Sequence, residues 1–284
     1  MSISAASITG WLRGVELRYT VVIPVLNQLH YTQQCVESLH AENVPAEAIL
    51  VIDNASTDGT ADWLASTPLS QSVHNDVNLG CGGAWTQGCY FGAGEWIVLL
   101  NNDVLAGPNA IDAMLDGAER RGLKVVSPAL LEGPDNYDFA KFAPAYCDKT
   151  SNEVRRGWFH GVCFAIHRDV FHLVGYPDTD RLMWGHEDKE FLVRCLRAGV
   201  PVGTVGGAVF HHFGSITQQA MKREQGIKKL GNHKHAYARM GMGWLARKLF
   251  KRQQRRQTSD WSRDECARLG VTLHMLRDKD WTFL

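Results

Sequence analysis

Residues 96–103 read WIVLLNND, an unbroken apolar run that stops on three polar residues, the last of them Asp103. A run of that length and composition is a strand buried on both faces. Such strands belong to parallel sheets covered by helices, whose ligands bind just beyond the strands' carboxyl ends. Asn101, Asn102 and Asp103 are therefore expected to face a ligand. A carboxylate flanked by amides suits a hard divalent cation holding phosphate oxygens. Asn and Asp also favour turns, so a simple strand-ending turn explains the tripeptide equally well at this point.

The flanking sequence repeats the pattern. TVVIPVLN at 20–27 is a second apolar strand ended by Pro24 and Asn27, and ILVIDNASTDGT at 49–60 is a third that runs into Asp53. A helical pattern follows each. Residues 31–39 carry Cys35, Val36 and Leu39 on one face, and Ser56 or Thr57 is placed to cap a helix containing Trp63 and Leu64. Asp58 is expected to sit at a helix start, where its charge favours the exposed N–H groups. Strands alternating with helices predict an α/β fold with right-handed crossovers and a mostly parallel sheet.

These stretches, taken with NLGCGGAWTQG at 78–88, GEWIVLLNNDV at 94–104, WGHEDKEFLVRCLRAG at 184–199 and VFHHFGS at 209–215, resemble family 2 nucleotide-sugar glycosyltransferases, in a rhamnosyltransferase-like pattern. The blocks occur in the family's order and extend over about three quarters of the chain, roughly residues 18 to 217, which is what gives the resemblance its specificity. It implies a GT-A fold: a Rossmann-like, mostly parallel central sheet with flanking helices. The expected organisation is a glycosyltransferase domain over 1–217, with a nucleotide-binding half at about 18–130 and an acceptor half at about 131–217. A C-terminal helical appendage is expected over 218–284.

The resemblance also implies roles. Pro24, Val25 and Asn27 would wall the base and ribose, and Asp53 would accept a hydrogen bond from the base. Asn78 and Gly82 would lie beside the nucleotide and donor sugar, in a glycine-rich loop that lets backbone approach a ligand closely. Small residues packing a helix on a strand account for the same glycines. Thr86 stands where the family has Asn. Asp103 would ligate a divalent metal, Mn or Mg, that bridges the donor's phosphates. Asn101 replaces the family's first Asp there and would meet the ribose, with Asn102 beside it. His211 is preferred over His212 as a further metal ligand, since adjacent strand residues point to opposite faces. Asp188 would be the base that deprotonates the acceptor hydroxyl for inverting transfer, with Glu187 bonding acceptor or donor sugar. The same two acids also suit a helix start ahead of Arg194, Arg197 and the stop at Gly199. Trp158, His160 and Trp184 are the expected acceptor-binding residues.

Composition agrees. The chain has 284 residues, is 45% hydrophobic, and balances 30 basic against 30 acidic residues, so no global field draws polyanions to it. Seven cysteines without a Cys-x-x-Cys pair predict reduced thiols in a cytoplasmic protein, and the first residues lack a signal-peptide pattern. RKLFKRQQRR at 247–256 holds six basic residues beside Trp244, Leu245, Leu249 and Phe250. A helix over 244–256 could lie on the inner face of an anionic membrane, track nucleic-acid phosphates, or be a solvated face. His233 and His235 are expected to be surface residues. The expected partners are a nucleoside diphosphate sugar and a glycan or lipid-linked saccharide acceptor. A modified nucleic acid as acceptor, or a non-catalytic nucleotide-sugar-binding protein, are the alternatives, the second opposed by the joint presence of Asp53, Asp103 and Asp188.

Overall fold

The computed structural model describes residues 17–276 except 70, 225, 227 and 229. The amino-terminal stretch without a signal-peptide pattern thus lies outside the described residues. The WIVLL run forms β4 (Trp96–Leu100), every residue of it buried. Its neighbours are β1 (Tyr19–Val25), β2 (Ile49–Asp53) and β3 (Gln71–His74), in the order β3-β2-β1-β4 and all parallel. Side chains alternate between two cores. Val98 and Leu100 pack with Val21, Ile23 and the buried side of α1 (Leu29–Ala41), including Cys35, Val36 and Leu39. Ile97 and Leu99 pack with Val22, Leu50 and Ile52 beneath α3 (Gly80–Phe91). Full burial of each such side chain contributes roughly 1.5–3 kcal/mol, which is why the run has no polar alternate positions.

The helix α2 (Thr60–Ser66) starts with Gly59 at its N-cap and no side-chain cap from its neighbours Ser56 or Thr57. Those two residues instead clamp Asn27: its backbone N–H donates to Ser56 Oγ at 2.7 Å, and its Oδ1 accepts from Thr57 N at 2.7 Å. Asp58 occupies the helix start as expected. Its carboxylate accepts from Thr60 N and also from Leu29 N, at the head of α1.

The second half of the sheet departs from a parallel arrangement. The strand β8 (Cys163–His167) runs antiparallel to β4, and β6 (Val125–Glu132), β9 (Val202–His212) and β5 (Val104–Ala106) continue the sheet. β9 is parallel to β6, while β5 and β7 (Val154–Arg156) are antiparallel to β9, and α4 (Ala110–Arg121), α5 (Phe139–Thr150) and α6 (Asp169–Val174) lie between these strands along the chain. Because β8 is antiparallel, its amino-terminal loop stands beside the carboxyl end of β4, with Cys163 opposite Leu100.

The C-terminal region is knitted into this sheet. α8 (Ile216–Glu224), α9 (His233–Arg239) and α10 (Trp244–Leu269) are followed by β10 (His274–Leu276), which pairs with β6 in parallel. Arg155 of β7 grips Glu265 of α10 through two 2.7 Å bonds, with side chains 1% and 4% exposed. Glu265 also accepts from Leu273 N. At the other end, Phe250 packs against Met183, Val193 and Tyr237. The described residues after 217 thus form helices, as expected, with one strand added to the sheet, and 277–284 of the expected appendage lie outside the described residues.

Candidate active site

Chain order in the sheet reverses between β1 and β4, and a cleft of about 260 Å³ opens at their carboxyl ends, the position expected for ligands of such sheets. β1 contributes Pro24 and Val25, and the residues after β4 contribute Asn101, Asn102 and Asp103. Asn78 lines it from the loop before α3, and Trp184, Glu187 and Asp188 from the start of α7 (Glu187–Arg197). Nine of the sequence-predicted residues therefore meet in one cavity.

Asp103 is 3% exposed, and its Oδ2 accepts from Ile216 N at 2.8 Å, the head of α8. Asn102 donates to Thr32 Oγ1 at 2.9 Å. Asn78 Oδ1 accepts from Gly80 N at 2.8 Å and shapes the turn into α3. The α7 helix carries Glu187, Asp188 and Glu190 in its first turn and Arg194 and Arg197 in its last, in keeping with the helix dipole, and the chain then turns at Gly199 with φ 70°. Burial raises the pKa of both Glu187 and Asp188 above the ordinary carboxylate range. Glu187 Oε1 is buried without a hydrogen-bond partner among the described residues. Burial and then the charges of Glu187, Asp188 and Asp103 push the Cys81 thiol up, so the three carboxylates act on one point of the cleft.

Four expectations are corrected by the geometry. His211 points away from Asp103: its Nδ1 meets Tyr137 Oη at 3.1 Å among Phe139 and Phe213. His212 is the histidine at Asp103, with Nε2 3.4 Å from Oδ1, because alternation along β9 sends the two rings to opposite faces. Asp53 does not line the cleft. It is 3% exposed and bonded to Ser56 N at 3.0 Å and His74 Nδ1 at 3.2 Å, tying β2 to β3 and to the loop that holds Asn27. Asn27, with φ 53°, is likewise turned into that loop. Gly82 stands behind the wall, where a side chain would run into the Asp178 carbonyl and lie 3.3 Å from Glu187 Cγ. Gly88 in the same loop-helix segment presses α3 onto Val22, so packing accounts for these glycines. Thr86 donates to the Pro177 carbonyl at 2.9 Å, a tie between α3 and the loop before α7.

Trp158 and His160 also lie outside the cleft. They line a second groove with Lys189 of α7 and with Gln254, Arg255, Thr258, Ser259 and Ser262 of α10. Asp188 lines both cavities. Sequence reading missed Asn54, Cys81, Trp85, Gly161, Ser215, Thr217, Gln218 and Met221 of the cleft wall. For Asn54, which follows Asp53 at a strand end, the strand pattern was a usable signal; α8 carried none. His233 and His235 are engaged, with His186 and Asp180 respectively, each at 2.6 Å.

The donor set at Asp103 is one carboxylate and the His212 imidazole, an oxygen and nitrogen pair that fits Mn better than Mg. Among the described residues no group of three or more His, Cys, Asp or Glu side chains gathers around one point, so an ion there would take its other ligands from substrate oxygens and water. Burial opposes charge on His212, but bonds to Asp103 and Glu132 outweigh it and hold its pKa up to about 9. Imidazole ligates a metal only when neutral, so a cation at Asp103 would reverse that balance.

Residues 20–174, more than half of the chain, match the family described as Glycosyl transferase family 2. An N-acetylglucosaminyl-diphospho-decaprenol L-rhamnosyltransferase of Mycobacterium tuberculosis is 27% identical over 261 residues, covering 77% of this chain and 83% of that protein. An undecaprenyl-phosphate mannosyltransferase of Micrococcus luteus is 32% identical over 80 residues, 27% of this chain and 32% of its own. Among solved structures, GalNAc-T7 with UDP, GalNAc and Mn2+ superposes with a TM-score of 0.56 at 17% identity, and the mannosyltransferase PcManGT of Pyrobaculum calidifontis with GDP-Man and Mn2+ with 0.55 at 19%. They cover 70% and 75% of this chain, which spans 44% and 61% of theirs. Fold, motif order and family match agree, and the chain belongs to glycosyl transferase family 2 as a glycosyltransferase of the GT-A fold.

Proposed function

We propose that this enzyme transfers a hexose or deoxyhexose, with inversion, from a nucleoside diphosphate sugar bound with a divalent cation to a hydroxyl of a lipid-linked saccharide. The charge inventory of the cleft carries the reading. Among the described residues its lining includes Asp103, Glu187 and Asp188 and no Lys, Arg or His, and His212 behind Asp103 answers the charge of that one carboxylate. A diphosphate entering such a cavity would meet like charge in a partly dehydrated space, which costs several kcal/mol unless a cation intervenes. Asp103, with His212 beside it, is the residue that would hold that ion, which when bound supplies Lewis acidity toward the leaving diphosphate.

The remaining chemistry falls to the chain's own groups. Pro24, Val25 and Asn54 form the apolar and amide wall suited to a nucleoside, and Asn101 can accept from a ribose hydroxyl. Asp53 contributes at one remove, by holding the loop beside that wall. Trp184 and Glu187 border the donor sugar's space, and Asp188 faces the acceptor, where it takes the hydroxyl proton as the oxygen attacks. Attack from the side opposite the leaving diphosphate inverts the anomeric centre.

The lipid link of the acceptor is supported by the names of the relatives and by α10, where Trp244, Leu245 and Leu249 are 67%, 60% and 58% exposed among basic residues. Such a surface suits the cytoplasmic face of an anionic membrane. No described helix is long and apolar enough to cross one.

The test is a panel of nucleoside diphosphate sugars scored by thermal stabilisation with and without Mn2+, followed by transfer to a lipid-linked saccharide. One sugar nucleotide should stabilise the protein only with the metal and should be consumed in transfer. Equal stabilisation in chelator would defeat the cation reading, and transfer with retained configuration would defeat the inverting one.

A further inference from the structure

The second groove has features that the donor cleft does not need. Asp188 is shared by both cavities, so a group lying in the groove reaches the base from the side away from the donor. His160, 6% exposed, has its Nε2 2.9 Å from the Pro128 carbonyl, an oxygen that can only accept, so the proton is on Nε2. That leaves Nδ1 as a bare acceptor, buried and without a partner among the described residues. Burial holds the ring's pKa down to about 3, so the acceptor lone pair persists at neutral pH.

Opposite stands α10. Lys189 and Arg255 are the basic residues of the groove; neither is in a salt bridge among the described residues, though the charge of Lys189 acts on its neighbour Asp188. Arg255 lies on a helical row with Lys248 and Trp244, the latter 67% exposed and about 16 Å along the axis from Arg255. Lys248 Nζ sits 5.2 Å over the Trp244 ring. The buried Arg155 and Glu265 pair fixes this helix against the sheet, so the groove wall is preformed. The groove wall therefore offers an aromatic ring, a hydrogen-bond acceptor and two cations, and α10 continues beyond Arg255 to the exposed Trp244. That set of groups suits a saccharide, a diphosphate and a lipid chain.

We propose that the groove between the Trp158 to His160 loop and α10 is the acceptor subsite, taking a saccharide diphosphate with its sugar at Trp158 and His160 and its phosphates at Lys189 and Arg255. The subsite rests on the function proposed above, and its recognition elements lie outside the donor cleft, so the two can fail separately. A polynucleotide offers phosphates as well, yet within the groove its repeated charges would meet, among the described lining residues, two cations and the acid Asp188.

The probe is N-acetylglucosaminyl diphosphate bearing a short alkyl chain, compared with the alkyl glycoside lacking the diphosphate. Equilibrium binding to the full chain is measured first, then transfer. Lys189→Gln and Arg255→Gln should each weaken binding of the diphosphate probe about tenfold, the scale of a lost charge-assisted contact, and leave the glycoside unaffected. Their nucleotide-sugar affinity and thermal midpoints should stay at the parent values, and Arg263→Gln, a charge loss elsewhere on α10, should change nothing. Equal binding of both probes by the parent, or parent-like affinity in both variants, overturns the subsite. So does displacement of the probe by a single-stranded oligonucleotide at lower concentration than by free diphosphate. Absence of transfer with the probe still bound and still sensitive to Arg255 would fault the proposed reaction and keep the subsite.

Discussion

Asp188 packs directly on Gly161: a β-carbon added at residue 161 would stand 2.6 Å from Asp188 Cβ and 2.8 Å from its Oδ2. The absence of a side chain at the β8 loop is therefore what lets the carboxylate occupy the seam between the two cavities. Gly161→Ala should push Asp188 aside. A misplacement of that order costs roughly a hundredfold in rate, so kcat should fall by about that factor while nucleotide-sugar affinity holds. Steady-state kinetics beside a donor titration decide it, and an unchanged kcat would remove Gly161 from the positioning of the base.

Asp188→Asn keeps the shape and cannot take a proton. Transfer should drop roughly a hundredfold to ten-thousandfold, the usual contribution of a positioned base, with donor binding retained. Product from the parent enzyme should have the anomeric configuration opposite to the donor's. Parent-like transfer by the variant would exclude Asp188 as the base.

The raised pKa of Asp188 has opposite signs for activity and stability. Because burial disfavours the ionised form, the acid limb of kcat/KM should have its midpoint above the ordinary Asp value of about 3.9. For stability, a folded pKa above the unfolded one favours the fold fully at pH below the unfolded value, and that contribution is lost as pH rises through the folded pKa. Asp188→Asn should therefore melt above the parent at neutral pH, with the difference closing in acid. A pH-independent difference in melting temperature would show that the carboxylate is not strained by burial.

Asp103→Ala removes the carboxylate at the proposed ion and also the acceptor for Ile216 N. Calorimetric titration of nucleoside diphosphate should lose its dependence on Mn2+, and transfer should be abolished. The loss of the α8 tie should cost about 1–3 kcal/mol of stability, read by denaturant unfolding. Full Mn2+-dependent binding in the variant would move the ion elsewhere.

What the sequence determined by itself was the layout of the donor half. Continuous apolar strands such as WIVLL and VVIPV can satisfy their burial only in a sheet covered on both faces, so strand ends, and with them Asn101 to Asp103, are positioned by local pattern alone. The helix over 187–197, with acids at its start and glycine at its stop, was legible for the same reason. Tertiary structure decided everything that depends on which strands become neighbours. The strand period says that His211 and His212 diverge, but only the pairing of β9 with β5 and β6 directs His212 to Asp103. Antiparallel β8 brings Gly161 under Asp188, and the Arg155 to Glu265 clasp carries α10 across to Trp158, contacts between residues far apart in the chain. Periodicity reports which side of an element is buried, and it is silent about what is buried against it.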